Sequence, residues 1–194
     1  MDIAYGSARP YKSCSIIKEG LAAMHEGLGL LYVGAVLILN GLWMQGRIED
    51  REIQVINFFA GGLSLMIAGY AAFGPEATVV SVRGAALTLL FAFTYLWVAI
   101  NRRNGSSGHG LGYFCLFVAL TALPTSVLQF AAAETLWQWW SACNWLAWAG
   151  LWFGFFLMLC HRPQLQRPMA WVCLVQGVLT AWLPGYLLMN EMLA

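Results

Sequence analysis

Six apolar segments that contain no charged residue constrain this chain more than any other feature of its sequence. They comprise residues 28–45, 53–73, 84–101, 111–130, 137–160 and 169–189. Each is long enough for a membrane-spanning helix, which needs about 20 mostly apolar residues. Only 10% of the chain is charged, whereas soluble domains carry roughly 25%. The sequence therefore predicts an all-α membrane protein with six transmembrane helices, whose partner is the lipid bilayer.

The arginines predict the orientation of these helices. Three alternate connections carry them in pairs: Arg47 and Arg51, Arg102 and Arg103, and Arg162 and Arg167. The other two connections carry Arg83 alone. Because loops rich in Lys and Arg remain in the cytoplasm, we expect both termini to lie outside, in a bacterial inner membrane. A net charge of +1 without a basic run gives no indication of nucleic-acid binding.

The domain organisation follows from the same segments. Residues 1–27 are polar, and we expect a disordered tail or a mis-assigned start, followed by one transmembrane domain at residues 28–190. Within that domain, Leu31-Tyr32-Val33-Gly34 resembles Leu116-Phe117-Val118-Ala119, and Asn57-Phe58-Phe59-Ala60 resembles Asn144-Trp145-Leu146-Ala147. This pattern predicts two three-helix repeats, residues 28–101 and 111–190. Because each has an odd number of spans, the second repeat would be inverted, with a substrate path between the two.

A tryptophan stripe marks the fifth segment. The run NWLAWAGLW at residues 144–152 places Trp145, Trp148 and Trp152 on one helix face. Tryptophan at membrane depth is unusual, because it prefers the two membrane interfaces. The stripe therefore either packs inside a helix bundle or lines a narrow passage for a small, flat, uncharged molecule.

The remaining polar groups at membrane depth are uncharged. Asn40, Asn57 and Asn144 are candidates for interhelical hydrogen bonds or for pore positions. Gln176 and Thr180, which share a face of the sixth segment, are candidate pore or substrate-binding residues. An ion-coupled transporter generally needs carboxylates or histidines at depth, and these segments have none. Catalytic motifs, metal-ligand spacings and cofactor motifs are also absent from the sequence. We therefore expect neither an enzyme nor a metal or cofactor site, and favour a path for a neutral solute. A coupled secondary transporter of small amides and a non-transporting membrane subunit are the alternatives.

At these residues the chain resembles the AmiS/UreI family of bacterial urea and short-chain amide channels. The resemblance lies in five segments: GLGLLYVGAVLILNG (27–41), INFFAGGLS (56–64), ALTLLFAFTYLWVAIN (86–101), NWLAWAGLW (144–152) and LTAWLPGYLL (179–188). It implies a passive channel with one pore per protomer and a homo-hexameric ring. It also implies urea or short amides as the permeant, and functional coupling to a cytoplasmic urease or amidase.

The resemblance also implies a set of pore-lining positions. These are Val33, Leu37, Phe91, Tyr95, Trp145, Trp148, Leu151 and Trp152. Gln176 departs from the family's pattern, because it stands where the compared urea channel has a glutamate. Acid-gated members carry histidines in longer outer loops, whereas residues 74–83 and 131–136 here contain none. We therefore expect no gating by outer-loop histidines.

Overall fold

The computed structural model describes residues 10–193, and the regular structure in this part of the chain is helical. The helices are α1 (Pro10–Met44), α2 (Asp50–Phe73), α3 (Val79–Asn104), α4 (His109–Ala132), α5 (Leu136–Cys160), α6 (Gln166–Gln176) and α7 (Leu183–Met189). A 3₁₀ turn (Pro163–Leu165) precedes α6, and a π-helical turn (Gly177–Trp182) joins α6 to α7. The region Pro163–Met189, here called the sixth segment, therefore forms one span. This confirms the prediction of an all-α protein with six membrane-length helices.

Polar capping residues begin three of the helices close to the membrane edge. Thr78 and Ser81 bond reciprocally at the start of α3, with Ser81 N donating to Thr78 Oγ1 over 3.1 Å and Thr78 N donating to Ser81 Oγ over 2.8 Å. Thr135 and Gln138 form the same arrangement at the start of α5. Glu49 and Glu52 form it at the start of α2. These side chains satisfy N–H groups at the helix starts that have no partner within the helix.

The first helix is longer than the sequence analysis predicts. It begins at Pro10 rather than near residue 28, while residues 1–9 lie outside the described part of the chain; the assignment of residues 1–27 as a disordered tail or a mis-assigned start stays a prediction. Residues 21–24 are Leu, Ala, Ala and Met, which favour the helix and continue its apolar character. One turn further on, Gly27 packs against Gly185 and Leu188 of α7, which anchors this end of α1.

Glycines bring α1 and the sixth segment unusually close together. Gly27, Gly34 and Gly41 recur every seven residues of α1, and each faces the sixth segment. A Cβ atom at position 34 would lie 2.5 Å from the backbone nitrogen of Trp182. Small residues of this kind allow membrane helices to pack backbone against backbone, which provides van der Waals contact without a hydrophobic driving force.

Three helix pairs pack most extensively: α1 with the sixth segment, α2 with α3, and α4 with α5. If the chain consisted of two inverted three-helix repeats, α5 and the sixth segment would be the counterparts of α2 and α3 and should pack equally closely. They contact one another much less than α2 and α3 do. The helix contacts therefore give the repeat no support, and it stays a prediction.

The paired arginines lie at one end of the bundle, here called the Arg-rich end. Arg102 at the end of α3 lies 4.0 Å from Asp50 at the start of α2. Gln166 Nε2 donates to the carbonyl of Met44 over 2.9 Å, which joins the start of α6 to the end of α1. The opposite end contains the connections 74–78 and 133–135. Large apolar side chains such as Phe59 and Phe73 are exposed along the outside, as expected of a surface that faces lipid.

Candidate functional site

A small internal cavity extends from the Arg-rich end into the middle of the bundle. Its volume is about 50 Å³. A single water needs roughly 10–15 Å³ on this measure, so the cavity has room for a few water-sized molecules. Four helices contribute its lining: Leu37, Asn40, Trp43 and Met44 from α1; Phe91, Thr94, Tyr95 and Val98 from α3; Leu111 and Cys115 from α4; and Trp148, Leu151, Trp152, Phe155 and Leu159 from α5.

The cavity wall is mostly apolar and contains no Asp, Glu, Lys, Arg or His among the described residues that line it. Thr94 donates its hydroxyl proton to the carbonyl of Leu90 over 2.7 Å, so its oxygen can still accept a hydrogen bond. Tyr95 also lines the cavity, and its hydroxyl has no hydrogen-bond partner among the described residues. Such a wall admits a small neutral molecule that can exchange a few hydrogen bonds, and penalises an ion.

Phe91 is the centre of the aromatic cluster at the inner end of the cavity. Its ring lies 4.9 Å from that of Trp148 and 4.8 Å from that of Trp152, measured between centroids, with interplanar angles of 83° and 68°. Trp145 lies 6.0 Å from Phe91 and 5.3 Å from Trp148. Edge-to-face pairs of this kind fix the rings in place, each contributing about 0.5–1.5 kcal/mol beyond the area buried.

Trp148 is also held by a hydrogen bond to the sixth segment. Its Nε1 donates to Thr180 Oγ1 over 2.9 Å, and that hydroxyl donates in turn to the carbonyl of Gln176 over 2.6 Å. The indole N–H is therefore occupied, while the ring remains on the cavity wall. This bond orients the ring more firmly than packing alone would.

The π-helical turn and Pro184 explain why α5 carries polar side chains opposite the sixth segment. Leu183 N–H bonds to the carbonyl of Val178, five residues back, so the carbonyl of Leu179 loses its usual partner. The carbonyl of Thr180 would need the N–H of residue 184, which proline lacks. Two α5 side chains supply the missing donors: Trp140 Nε1 bonds to the Leu179 carbonyl over 3.1 Å, and Asn144 Nδ2 bonds to the Thr180 carbonyl over 3.0 Å.

Two further polar side chains contact neighbouring helices. Gln176 Nε2 donates to the carbonyl of Ala147 over 3.0 Å, whereas its buried Oε1 has no hydrogen-bond partner among the described residues. Asn40 and Asn57 form a reciprocal amide pair, with bonds of 3.3 and 2.8 Å, and Asn57 also donates to the carbonyl of Ile53. Asn57 is fully buried, whereas Asn40 reaches the cavity.

The cavity brings together part of the set that the sequence indicates. It includes seven of those residues: Leu37, Asn40, Phe91, Tyr95, Trp148, Leu151 and Trp152. The others are outside its lining: Val33, Asn57, Asn144, Trp145, Gln176 and Thr180. Of these, Val33 and Trp145 are buried about one turn from cavity residues on the same helices, toward the opposite end. The remaining four contact helices rather than the cavity.

Sequence reasoning missed the part of the wall nearest the Arg-rich end. The missed residues are Trp43, Met44, Thr94, Val98, Leu111, Cys115, Phe155 and Leu159. A signal for most of them exists, because they continue the helical spacing of three, four or seven from predicted positions. Trp43 and Met44 follow Asn40 in this way, Val98 follows Tyr95, and Phe155 follows Trp152.

Residues 25–192, most of the chain, match the protein family described as AmiS/UreI family transporter. The chain belongs to the AmiS/UreI family. Its relatives include the "Putative amidate substrates transporter protein" of Mycolicibacterium smegmatis, 40% identical over 166 residues that cover 84% of this chain and 76% of that protein. The acid-activated urea channel of Helicobacter pylori is 35% identical over 188 residues, covering 84% of this chain and 96% of the channel.

Solved structures of an AmiS/UreI relative have the same fold. The crystal structure of the Helicobacter pylori urea channel matches with a TM-score of 0.76 at 36% identity, covering 87% of this chain and 99% of that one. The cryo-EM structure of that channel in its closed state matches with a TM-score of 0.74 at 35% identity, covering 85% and 97%. The AmiS/UreI family comprises membrane transport proteins rather than enzymes, and this chain is accordingly a multi-pass membrane protein.

Proposed function

We propose that this AmiS/UreI protein is a passive channel for urea and short aliphatic amides, with one pore in each protomer. The observation that carries the proposal is the cavity itself: it is enclosed by helices of a single chain, walled by aromatic rings and free of charged groups. Relatives described as a urea channel and as an amidate transporter support the class of permeant.

The wall suits a planar amide for physical reasons. An amide group is flat and carries both donors and acceptors, so it can pass along the aromatic rings of the wall after losing its water. The Tyr95 hydroxyl and the remaining N–H and lone pair of Asn40 can replace part of the lost hydration. Because these partners are few and uncharged, binding stays weak enough for the solute to leave again.

The pathway extends beyond the cavity in this proposal. Trp145 and Val33 lie about one helical turn from Trp148 and Leu37 toward the opposite end, where the cavity does not reach. We therefore assign them to the narrow middle of the pore. Thr180 and Gln176 take part by supporting the wall from behind, through the Trp148 hydrogen bond and the contact with Ala147.

Two alternatives predict different structures around the path. A coupled secondary transporter of amides would need a titratable group on the wall, and the described lining has no carboxylate, lysine or histidine. A non-transporting membrane subunit would need no internal cavity. Passive permeation fits both the charge-free wall and the enclosed space.

The cellular setting completes the proposal. Because loops rich in arginine remain in the cytoplasm, the paired arginines support a cytoplasmic location for the Arg-rich end, in a bacterial inner membrane with both termini outside. The protomers would assemble into a homo-hexamer, as the family resemblance implies, in which residues 28–190 form the channel domain. A cytoplasmic urease or amidase would consume the incoming solute and maintain its gradient.

The test is solute flux through proteoliposomes that contain the purified protein. Vesicles are mixed with hyperosmotic urea, acetamide or glycerol, and their shrinkage and reswelling are followed by stopped-flow light scattering. We expect protein-dependent reswelling with urea and acetamide, a smaller effect with glycerol, and no response to an imposed proton gradient. Flux that follows the proton gradient would favour the coupled transporter, and no flux of any solute would favour the non-transporting subunit.

A further inference from the structure

Trp43 lies on the cavity wall near the Arg-rich end and is held by two charged residues from other helices. Its Nε1 donates to Asp50 Oδ1 over 2.7 Å. The guanidinium of Arg102 lies over the indole, 5.3 Å from the ring centroid, and 4.0 Å from Asp50 Oδ2. This Trp43 cluster (Trp43, Asp50 and Arg102) joins the end of α1, the start of α2 and the end of α3.

The cluster restrains the indole in two independent ways. A hydrogen bond to a carboxylate fixes the edge of the ring, and it is stronger than a bond between neutral groups. A guanidinium over the ring face adds an electrostatic attraction and limits rotation of the side chain. Arg102 is itself held, because its guanidinium also donates to the carbonyl of Ser106 over 3.4 Å. The indole is therefore fixed in position by its neighbours.

The indole of Trp43 forms part of the cavity wall toward the Arg-rich end. The same part of the wall also includes Met44, Val98 and Leu159, all apolar side chains that form no side-chain hydrogen bond with the described residues. Trp43 is the bulkiest side chain in this part of the wall. If its bond to Asp50 is lost, the ring can rotate about two side-chain torsions, which enlarges the opening.

We propose that Trp43 is a specificity-determining residue at the Arg-rich mouth, and that Asp50 and Arg102 are positioning residues that hold its ring. The ring admits urea and acetamide and restricts longer amides such as butyramide. This inference rests on the proposed function, because it concerns the size of amide that the path accepts. The inference gives Asp50 and Arg102 a role in selectivity beyond stabilising the ends of their helices.

The first measurement is the ratio of butyramide flux to urea flux in proteoliposomes. Asp50→Ala and Trp43→Phe remove the hydrogen bond between the indole and the carboxylate. Because hydrogen bonds to charged groups are stronger than those between neutral groups, we expect either variant to raise the ratio of butyramide flux to urea flux about threefold to tenfold. Asp50→Asn keeps an acceptor oxygen and should restore much of the discrimination. Arg102→Gln should raise the ratio, whereas Arg103→Gln, which changes the adjacent exposed arginine, should not.

The second measurement does not depend on permeation. Cys115 lines the same cavity and is only 1% exposed, so its reaction with the small neutral reagent methyl methanethiosulfonate reports on access to the cavity. In a protein whose other four cysteines are replaced by alanine, Asp50→Ala and Trp43→Ala should accelerate this reaction severalfold, while Arg103→Gln leaves it unchanged.

These two measurements separate the inference from the proposed function. If the unaltered protein conducts neither urea nor amides, the proposed function fails, and the Cys115 reaction still decides whether the Trp43 cluster limits access. If Asp50→Ala and Trp43→Ala leave the Cys115 reaction and any measurable flux ratio unchanged, the inference is overturned. The same holds if Arg103→Gln changes them as much as Arg102→Gln.

Discussion

Replacing Trp148 with phenylalanine separates the two roles that a membrane-depth tryptophan can have. The change removes the hydrogen bond of 2.9 Å to Thr180 and keeps an aromatic ring beside Phe91 and Trp145. Interhelical hydrogen bonds in membranes contribute about 0.6 kcal/mol on average, with a maximum of about 1.7 kcal/mol. We therefore expect a loss of stability of about 1 kcal/mol, which leaves the protein folded. Because the ring also borders the cavity, we expect the flux ratio of butyramide to urea to rise.

A matched control lies two turns away on the same helix. Trp140 also donates its indole N–H to the sixth segment, over 3.1 Å to the carbonyl of Leu179, but it is outside the cavity lining. Trp140→Phe should therefore lower stability to a comparable extent and change the flux ratio less, because Asn144 still bonds α5 to the sixth segment. Thermal unfolding in detergent measures the first effect, and stopped-flow swelling of proteoliposomes measures the second.

The outcome that would refute this reasoning is specific. If Trp148→Phe lowers the unfolding temperature while the flux ratio stays at the value of the unaltered protein, Trp148 packs the bundle and does not limit the path. Trp148→Ala provides a more severe version, because truncating a buried tryptophan costs about 3–5 kcal/mol. Loss of assembly in that variant would also indicate a packing role.

Three further predictions follow from contacts elsewhere in the bundle. Gly34→Leu should lower the unfolding temperature, because its side chain would meet the sixth segment's backbone and overpacking costs about 1–3 kcal/mol; Gly62→Leu, in open space, should not. Asn57→Leu should destabilise by about 1–3 kcal/mol, since it leaves the amide of Asn40 unpaired, and replacing both with leucine should recover part of that loss in the same unfolding assay. Urea flux should be equal at pH 5 and pH 7.5, and a steep rise on acidification would contradict this.

The six spans were predictable from the sequence because each requires only length and apolar composition. Their arrangement was not predictable in the same way. Packing of α1 against the sixth segment depends on Gly34 approaching the backbone of a residue about 150 positions away, and hydropathy carries no information on such pairs. The repeat was inferred from short similarities such as Asn57 and Asn144, yet these two amides have different kinds of partner: a side chain on α1 and a backbone carbonyl in the sixth segment.

The cavity wall was predictable only in its inner half. Phe91, Trp148 and Trp152 stand out because large aromatic rings at helical spacing are rare at membrane depth. Val98 and Leu159 carry no such signal, because an apolar side chain that faces a cavity has the same chemistry as one that faces lipid or a neighbouring helix. Trp43 could have been found, since it lies three residues from Asn40 on the same helix, but its partners Asp50 and Arg102 come from other helices and are brought near only by the fold.

Helix α5 both bonds to the sixth segment and contributes indole rings to the cavity wall, and the irregular backbone of the sixth segment connects these two roles. A regular sixth helix would satisfy its own carbonyls, and α5 would then need no polar side chains at depth. The π-helical turn and Pro184 expose the carbonyls of Leu179 and Thr180, and Trp140 and Asn144 bond to them, which fixes the rotation of α5 about its axis. Since Trp148 lies one turn beyond Asn144, that rotation also decides which indole faces the cavity. The hydrogen bonds that look purely structural therefore set the composition of the wall.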